Sequence, residues 1–333
     1  MVKNKIEGID KQQWQALAKS SKTCTWFQTY GAYQFYSDIV DLVQPFVYAV
    51  ENEGQLRGVI VGYITREKNK LKNLLTRRAI IIGGPLLAND ISDEELRALL
   101  IAVREGIAHR AIYIETRNFH DFSKWKSVYE ACGFTYKPHY NFKVDCSSQE
   151  VIEKNIDRGR RRNVNSSLKL GCEMVEHPTI EQVREWYLIL QNLYRTKVKT
   201  PLFPLSFFEK LYTQPHCRYF LVSYQGRIFG GTACVLVDHH EIYEWFGCGL
   251  DYEIKGVTPS VLSTYQGLLY GSENGIPILD MMGAGSPDDD YGVRKFKERF
   301  GGQLVEHGRF LCITKPLLYH IGALGVKLLK KVK

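Results

Sequence analysis

The chain has 333 residues, of which 44% are hydrophobic and 24% charged, and a net charge of +8. That length suits two domains or one duplicated unit, and the composition is that of an ordinary globular protein. No run approaches the roughly 20 apolar residues of a spanning helix, so no membrane-spanning helix is expected. The positive charge favours an anionic small molecule, nucleic acid or an anionic membrane surface, without choosing among them.

The eight cysteines are scattered and none is spaced as C-x-x-C. Neither a disulfide framework nor a cysteine metal site is expected, and unpaired thiols fit a reducing compartment. The opening residues, MVKNKIEGIDKQQW, contain no apolar leader core. A cytoplasmic protein is the expectation.

In chain order, residues 47–61 (VYAVENEGQLRGVIV) read as a β-hairpin turning at Gly54. A strand follows at Ala79 to Ile82. An amphipathic helix then runs from Ser92 to His109, with Ser92 and Glu95 placed as a capping box. Next come a strand, Ala111 to Thr116, and a helix, Phe122 to Cys132, stopped by Gly133. The domain break is expected between Asp145 and Gln149, giving domains 1–146 and 147–333. Helical segments follow: a basic one from Val151 to Leu170, a periodic one from Ile180 to Lys197, and a short one from Leu205 to Tyr212.

Residues 219–233 (YFLVSYQGRIFGGTA) then repeat the hairpin. Gly226 and Gly230 answer Gly54 and Gly58 at an offset of 172 (226 − 54 and 230 − 58). Strand Glu241 to Phe246, helix Ser260 to Asn274, strand Ile276 to Leu279 and helix Val293 to Phe300 repeat what followed the first hairpin. The spacing predicts an α/β (α+β) protein of two similar units, each a mixed sheet flanked by helices. The last stretch, Pro316 to Lys333, carries leucines and Lys327, Lys330, Lys331 and Lys333. It reads either as a terminal helix docked on the second domain or as an amphipathic helix resting on an anionic membrane.

The segment from Asp280 to Gly302 (DMMGAGSPDDDYGVRKFKERFGG) concentrates the chemistry. A strand ends in Asp280, where sites of α/β proteins tend to lie and where an acid also serves as a loop cap. After a glycine-rich loop, a short helix carries Arg294, Lys295 and Lys297. Phe296 and Phe300 form its apolar face. Lys297 lies about 100° round the helix from Phe296, so it need not be buried with them. Cations beside a glycine loop suit a phosphate or a developing oxyanion. The acids Asp288 to Asp290 read as a solvated loop, and no metal is expected.

Other candidates carry two readings each. The run Arg158 to Asn163 is either a solvated helix face or a contact for a phosphate chain such as a tRNA acceptor arm. Arg195 and Lys197 either complement a helix C-terminus or bind an anion. In the strand Tyr243 to Phe246, alternation puts Tyr243 and Trp245 on one face and Glu244 and Phe246 on the other. Tyr243 and Trp245 are then either core or a substrate-binding floor. The adjacent His239 and His240 read as a surface turn.

The order of six further pieces resembles a known family. Thr25-Trp-Phe-Gln-Thr29, Gly83-Gly-Pro85, Ala131-Cys-Gly-Phe134 with Lys137-Pro-His-Tyr140, Arg161 to Gly171, and Phe296-Lys-Glu-Arg-Phe-Gly301 resemble elements of the Fem family of peptidoglycan aminoacyl transferases. The repeated unit itself resembles the GNAT fold, so the resemblance implies two tandem GNAT-like domains.

It further implies transfer of an amino acid from aminoacyl-tRNA to an amine of a peptidoglycan precursor, with no bound cofactor. Lys297 would stabilise the anionic tetrahedral intermediate, helped by Arg294 or Lys295; Asp280 is a candidate for acid–base chemistry from its position at the strand end alone, not from the resemblance. Arg195 would bind a phosphate of the nucleotide- or lipid-linked muropeptide, and Tyr243 would line the same site, with Lys197 and Trp245 beside them. An acyl-CoA-dependent transfer to a polysaccharide or lipid precursor is the alternative. Location would be cytoplasmic, with peripheral contact at the inner membrane surface. One departure bears on the donor. The GNAT pyrophosphate loop should precede the helix at Ser260, yet the chain reads Lys255-Gly-Val-Thr-Pro-Ser260.

Overall fold

The structure is a computed structural model that describes residues 1–67, 69–288 and 292–322. It forms two compact units: Met1–Pro138 together with the segment from His307, and His139–Glu306.

The first unit holds β1 (Val2–Lys3), β2 (Val43–Asn52), β3 (Gln55–Thr65), β4 (Arg78–Gly83), β5 (Leu86–Leu87), β6 (Tyr113–Asn118) and β7 (Thr135–Lys137). Its helices are α1 (Lys11–Ser20), α2 (Tyr30–Asp38), α3 (Lys70–Thr76), α4 (Asp93–Ala108) and α5 (Lys126–Ala131). The second unit holds β8 (Tyr140–Asp145), β9 (Cys172–Val175), β10 (Cys217–Tyr224), β11 (Arg227–Val237), β12 (Glu241–Gly249), β13 (Ile278–Gly283) and β14 (Gln303–Glu306). Its helices are α6 (Gln149–Asn155), α7 (Arg158–Lys169), α8 (Ile180–Leu193), α9 (Leu205–Tyr212), α10 (Pro259–Glu273) and α11 (Gly292–Glu298). A final strand, β15 (Arg309–Ile313), returns to the first sheet.

The first sheet runs β1-β2-β3-β4-β6-β15-β7, with β5 on β3; the second runs β14-β8-β13-β12-β11-β10-β9. The repeat read from the glycines is real in three dimensions. Glu53 and Gly54 take φ of 50° and 76°, and Gln225 and Gly226 take 51° and 76°. Positive φ at both central residues is the hairpin turn whose twist matches the strands. Each hairpin also slips register at one place, Val50/Glu51 and Val222/Ser223, again 172 apart (222 − 50). The helix expected after Ser92 forms with its capping box, and α4 buries Leu96, Leu99, Leu100, Val103 and Ile107.

Strand pairing groups the chain differently from the boundary at 146/147. β8 pairs with β13 and β14, so residues 140–145 belong to the second sheet. β15 pairs with β6 and β7, so residues 309–313 belong to the first. Which sheet edge a strand joins depends on distant backbone groups, and local pattern carries no record of it. Of the C-terminal stretch, a helix over 316–322 is described, with Tyr319 edge-on to Tyr113 at 5.6 Å. The lysines from Lys327 on lie outside the described residues. Among those described, no helix is long and apolar enough to cross a membrane.

Two of the resembling pieces hold each other. Gln28 Nε2 donates to the carbonyls of Gly83 (3.0 Å) and Gly84 (2.8 Å), both at positive φ. A Cβ on Gly83 would lie 2.4 Å from Thr25 Oγ1, so the glycine is required there.

All eight cysteines are free and buried, and burial pushes the Cys24 and Cys146 thiols up to about 12. A thiol reagent such as Ellman's should therefore label the native chain slowly and all eight sites at once in denaturant. Rapid native labelling would show that the buried thiols are reached without unfolding.

Candidate active site

Each unit contains one parallel strand pair at its centre, and the two pairs differ. In the first unit β4 and β6 stay in register from Arg78↔Tyr113 to Gly83↔Asn118. In the second, β12 and β13 pair only at Glu241↔Ile278, Ile242↔Leu279 and Tyr243↔Asp280, and then part. Both strands deform at that point. In β12, Cys234 faces Glu244 and Ala233 faces Phe246, so Trp245 is an inserted residue. In β13, Met282 takes φ of 59°, and register with β8 jumps from Asp280 to Gly283. The edge of β12 beyond Tyr243 is thus unpaired by β13, leaving backbone N–H and C=O groups for a ligand.

The bulge corrects the alternation expected for this strand. Tyr243 is fully buried and its hydroxyl donates to Glu241 Oε2 at 2.6 Å. Trp245 and Phe246 both pack on Phe207, at 5.4 and 6.0 Å, instead of pointing to opposite faces.

Lys297 sits at the mouth of the opening. Contrary to the expectation that it need not be buried, it is 8% exposed. Its Nζ donates to the carbonyls of Met281 and Gly283, the latter at 2.8 Å, with Met282 O at 3.4 Å. Burial holds its pKa down at about 8, against the opposing pull of Glu244 and Asp280. The helix that carries it is anchored by Phe300, 1% exposed, and by Arg160, whose guanidinium lies 4.4 Å over the Phe296 ring. Gly301, at φ 78°, ends the element, and a Cβ there would lie 2.1 Å from the Asn155 carbonyl. Phe, Lys and Gly of the most specific resembling piece each have a physical reason.

Asp280 is not at a strand end but inside β13 and fully buried. Its Oδ1 accepts the Met282 N–H at 2.5 Å, fixing the turn whose carbonyls hold Lys297. Lys143 Nζ lies 3.9 Å away and is itself paired with Glu241 at 2.6 Å. Burial, with Glu241 nearby, raises Asp280 to about 7, opposed by Lys143. Asp280 and Lys297 therefore brace the same kinked strand end from two sides.

Glu244 is the residue that local sequence reasoning passed over. It is the first residue of β12 past the last parallel pair. Its carboxylate bonds the Thr264 hydroxyl of α10, while Oε2 is shut off from solvent without a partner. Burial raises its pKa, and Lys297 opposes that. Only the strand divergence gives this acid its setting, and a lone Glu between aromatics carries no such signal.

At the N-terminus of α10, Asp251 occupies the position that helix N–H groups offer to anions. Its Oδ1 accepts the Ser260 N–H at 2.9 Å and its Oδ2 the Ser260 hydroxyl at 2.5 Å.

The remaining expected site residues are dispersed. Arg294 donates to the carbonyls of Ala284 and Ser286 and lies 5.0 Å over the Tyr140 ring, so it holds the loop. Lys295 is exposed. Arg195 and Lys197 lie in a π-helical turn, Tyr194–Val198; Arg195 donates to Asn192 at 3.1 Å, and Lys197 sits 5.4 Å over Tyr252. Asp289 and Asp290, from the acidic run, lie outside the described residues.

No family model matches the chain, and no curated protein matches it. Solved structures do. FemX is similar over 96% of this chain and 99% of its own, with a TM-score of 0.72 at 16% identity. L-PGS from Bacillus licheniformis is similar over 97% of each chain, at TM-score 0.57 and 14% identity. A tandem GNAT protein from the clavulanic acid biosynthesis pathway is similar over 94% of this chain and 99% of its own, at TM-score 0.58 and 11% identity. The chain has the tandem GNAT-like fold that the resemblance implied, built from the two mixed α/β units that the repeat predicted.

Proposed function

We propose that this chain is a Fem-type N-acyltransferase that moves an aminoacyl group from aminoacyl-tRNA to an amine of a peptidoglycan precursor. The observation that carries it is the open parallel pair of the second unit, with Lys297 and Glu244 at the opening, against the closed pair of the first. An acyl ester can lie along the bare edge of β12, where strand N–H groups meet its carbonyl. The fold similarity to FemX and to a tandem GNAT protein supports the same class of chemistry.

In this reading the acceptor amine attacks the ester carbonyl and a C–N bond forms. Glu244, whose Oε2 has no protein partner, takes the proton the nitrogen sheds. The C–O bond to the ribose breaks, and that proton passes to the departing oxygen. The Lys297 charge stabilises the oxyanion between these steps, while Asp280 keeps the strand end in place. Exposed Arg195, Lys197 and Lys295 suit the phosphates of a nucleotide- or lipid-linked muropeptide acceptor. Tyr243 and Trp245 shape the wall beside the opening.

The engaged N-terminus of α10 favours tRNA over acyl-CoA. A diphosphate brought there would meet the Asp251 carboxylate and two filled hydrogen-bond sites. The test is transfer of a labelled amino acid from a mixed charged-tRNA pool to a nucleotide-linked muropeptide, beside a panel of acyl-CoAs. Label in the muropeptide is expected. Transfer from acyl-CoA alone would replace the donor, and tight muropeptide binding without turnover from either would mark a binding protein.

A further inference from the structure

The two units place an acid at matching points and surround it differently. Glu115 is the third residue of β6 and Asp280 the third of β13, and each meets the parallel neighbour at the third pair, Ile80↔Glu115 and Tyr243↔Asp280. Glu115 is paired with two arginines, Arg117 at 3.1 Å and Arg309 at 2.7 Å. Burial would raise its pKa, but the two guanidiniums hold it below the usual carboxylate range.

Around Asp280 the ratio is reversed. Lys143, Asp280 and Tyr243 stand in one cross-strand row, and Asn141 and Glu241 lie two residues along on the same face of the sheet. The opposite face, with Phe142, Val144, Ile242 and Leu279, belongs to the apolar core. Two acids, Glu241 at 5% exposure and Asp280 at 0%, thus share one lysine. Glu241 takes the better contacts: Lys143 Nζ donates to Oε1 and the Tyr243 hydroxyl to Oε2, both at 2.6 Å. Asp280 keeps the Met282 N–H on Oδ1 at 2.5 Å, while Lys143 is 3.9 Å and the Asn141 amide 3.5 Å from its carboxylate. Burial and the Glu241 charge accordingly raise Asp280 to about 7, against Lys143 and Lys297.

The Met282 turn transmits that charge. An ionised acceptor holds a backbone N–H roughly twice as strongly as a neutral one. Met282 is at φ 59°, a conformation that a side chain disfavours, so the turn depends on the bond. The carbonyls on either side of it, Met281 and Gly283, are the ones that seat Lys297.

We propose that Glu241 and Lys143 are positioning residues for Lys297: they decide whether Asp280 carries its charge, and so the lowest pH at which the Met282 turn seats the lysine. This rests on the reading of Lys297 as the cation that meets the oxyanion, and it adds the pair of groups that governs it. The groups facing Asp280 are Lys143 from β8, Glu241 and Tyr243 from β12, and Lys297 from α11. Asp280 is charged above about 7 and Lys297 below about 8, so both charges coexist only between those values.

The experiment follows Asp280 directly, by carboxyl NMR of the full chain carrying isotope-labelled aspartate, with the signal assigned by its loss in Asp280→Asn. In wild type the carboxyl and the Met282 amide should titrate together at about 7. Glu241→Gln keeps the shape, removes the neighbouring charge and leaves Lys143 to Asp280. Both midpoints should then fall by roughly 1 to 2 pH units. Lys143→Met should move them up roughly as far; where that variant does not fold, Glu241→Gln decides. The acidic limb of the transfer rate should follow, so at about pH 6 Glu241→Gln should outpace wild type roughly fivefold. A limb set by Glu244 would stay, since the charge facing that carboxylate is Lys297 and not Glu241. An Asp280 midpoint that Glu241→Gln leaves in place overturns the proposal. So does a midpoint that moves while the Met282 amide, or the acidic limb of a measurable transfer, stays put. If no donor is ever turned over while carboxyl and amide still move together, the coupling stands and the catalytic reading alone fails.

Discussion

Lys297→Met should lower stability by about 3–5 kcal/mol and cut transfer at least about 100-fold. The first number follows from what the substitution strands. Lys297 Nζ satisfies the carbonyls of Met281 and Gly283 at the kinked end of β13, and its charge faces Glu244 and Asp280. A thioether of similar length fills the volume but leaves those carbonyls without a donor and Glu244 without its cation, while Asp280 keeps only Lys143 at 3.9 Å. Arginine is not a substitute, because its planar fork cannot converge on carbonyls two residues apart as an ammonium does. Adding Glu244→Gln to Lys297→Met should recover part of the stability and none of the turnover, the mark of a coupled buried pair. Urea unfolding and single-turnover transfer measure the two effects. A Lys297→Met protein as stable and as active as wild type would remove the residue from the site altogether.

Glu244→Gln should act in opposite directions on stability and catalysis. Burial raises the Glu244 pKa above the unfolded value of 4.5. Between pH 4.5 and the raised value, the folded state binds more protons than the unfolded one, so stability falls as pH rises through that window. Glutamine carries no such penalty. The variant should melt higher than wild type at neutral pH, and the gap should close below pH 4.5. The groups facing this carboxylate are Lys297 from α11, Cys234 from β11 and the Thr264 hydroxyl from α10. Transfer should fall about 100- to 10,000-fold, the usual worth of a general base. An acceptor of low basicity such as hydroxylamine should recover much of that loss, because it needs less help in shedding its proton. Equal loss with both acceptors would mean that Glu244 only supports the fold. A melting difference that does not change with pH would contradict its burial as a charge.

The two predictions also explain why the second unit, and not its twin, carries the cations. A parallel pair registered over its whole length, as β4 and β6 are, has every edge group satisfied and no vacancy for a substrate. Opening β12 from β13 leaves unpaired backbone, and a buried lysine beneath three consecutive carbonyls is the compensation. The strain of Met282 at φ 59° belongs to the same arrangement.

Much of this was legible from residues alone. Glycines repeated at one offset announced both hairpins, because a two-residue turn with positive φ leaves few other choices. Ser92 and Glu95 announced the start of α4, because a capping box is local chemistry. The cation cluster after Asp280 marked the helix that carries Lys297, because three cations in four residues are visible without any tertiary contact. What local pattern could not carry was anything set by partners far along the chain. Residues 140–145 and 309–313 found their sheets through pairing with distant strands. Trp245 broke its alternation because β11 and β12 differ by one residue in length at that point. Lys297 went inward, although its helical position allowed it to stay out, because distant carbonyls at the end of β13 gave its ammonium three acceptors. Sequence by itself determined the repeat, the elements and the helix that bears the lysine, since these rest on periodicity and turn chemistry. Tertiary structure alone decided that one parallel pair is open and the other closed, and hence that Glu244 stands at the opening, since strand separation is a property of two chains of backbone and not of either one.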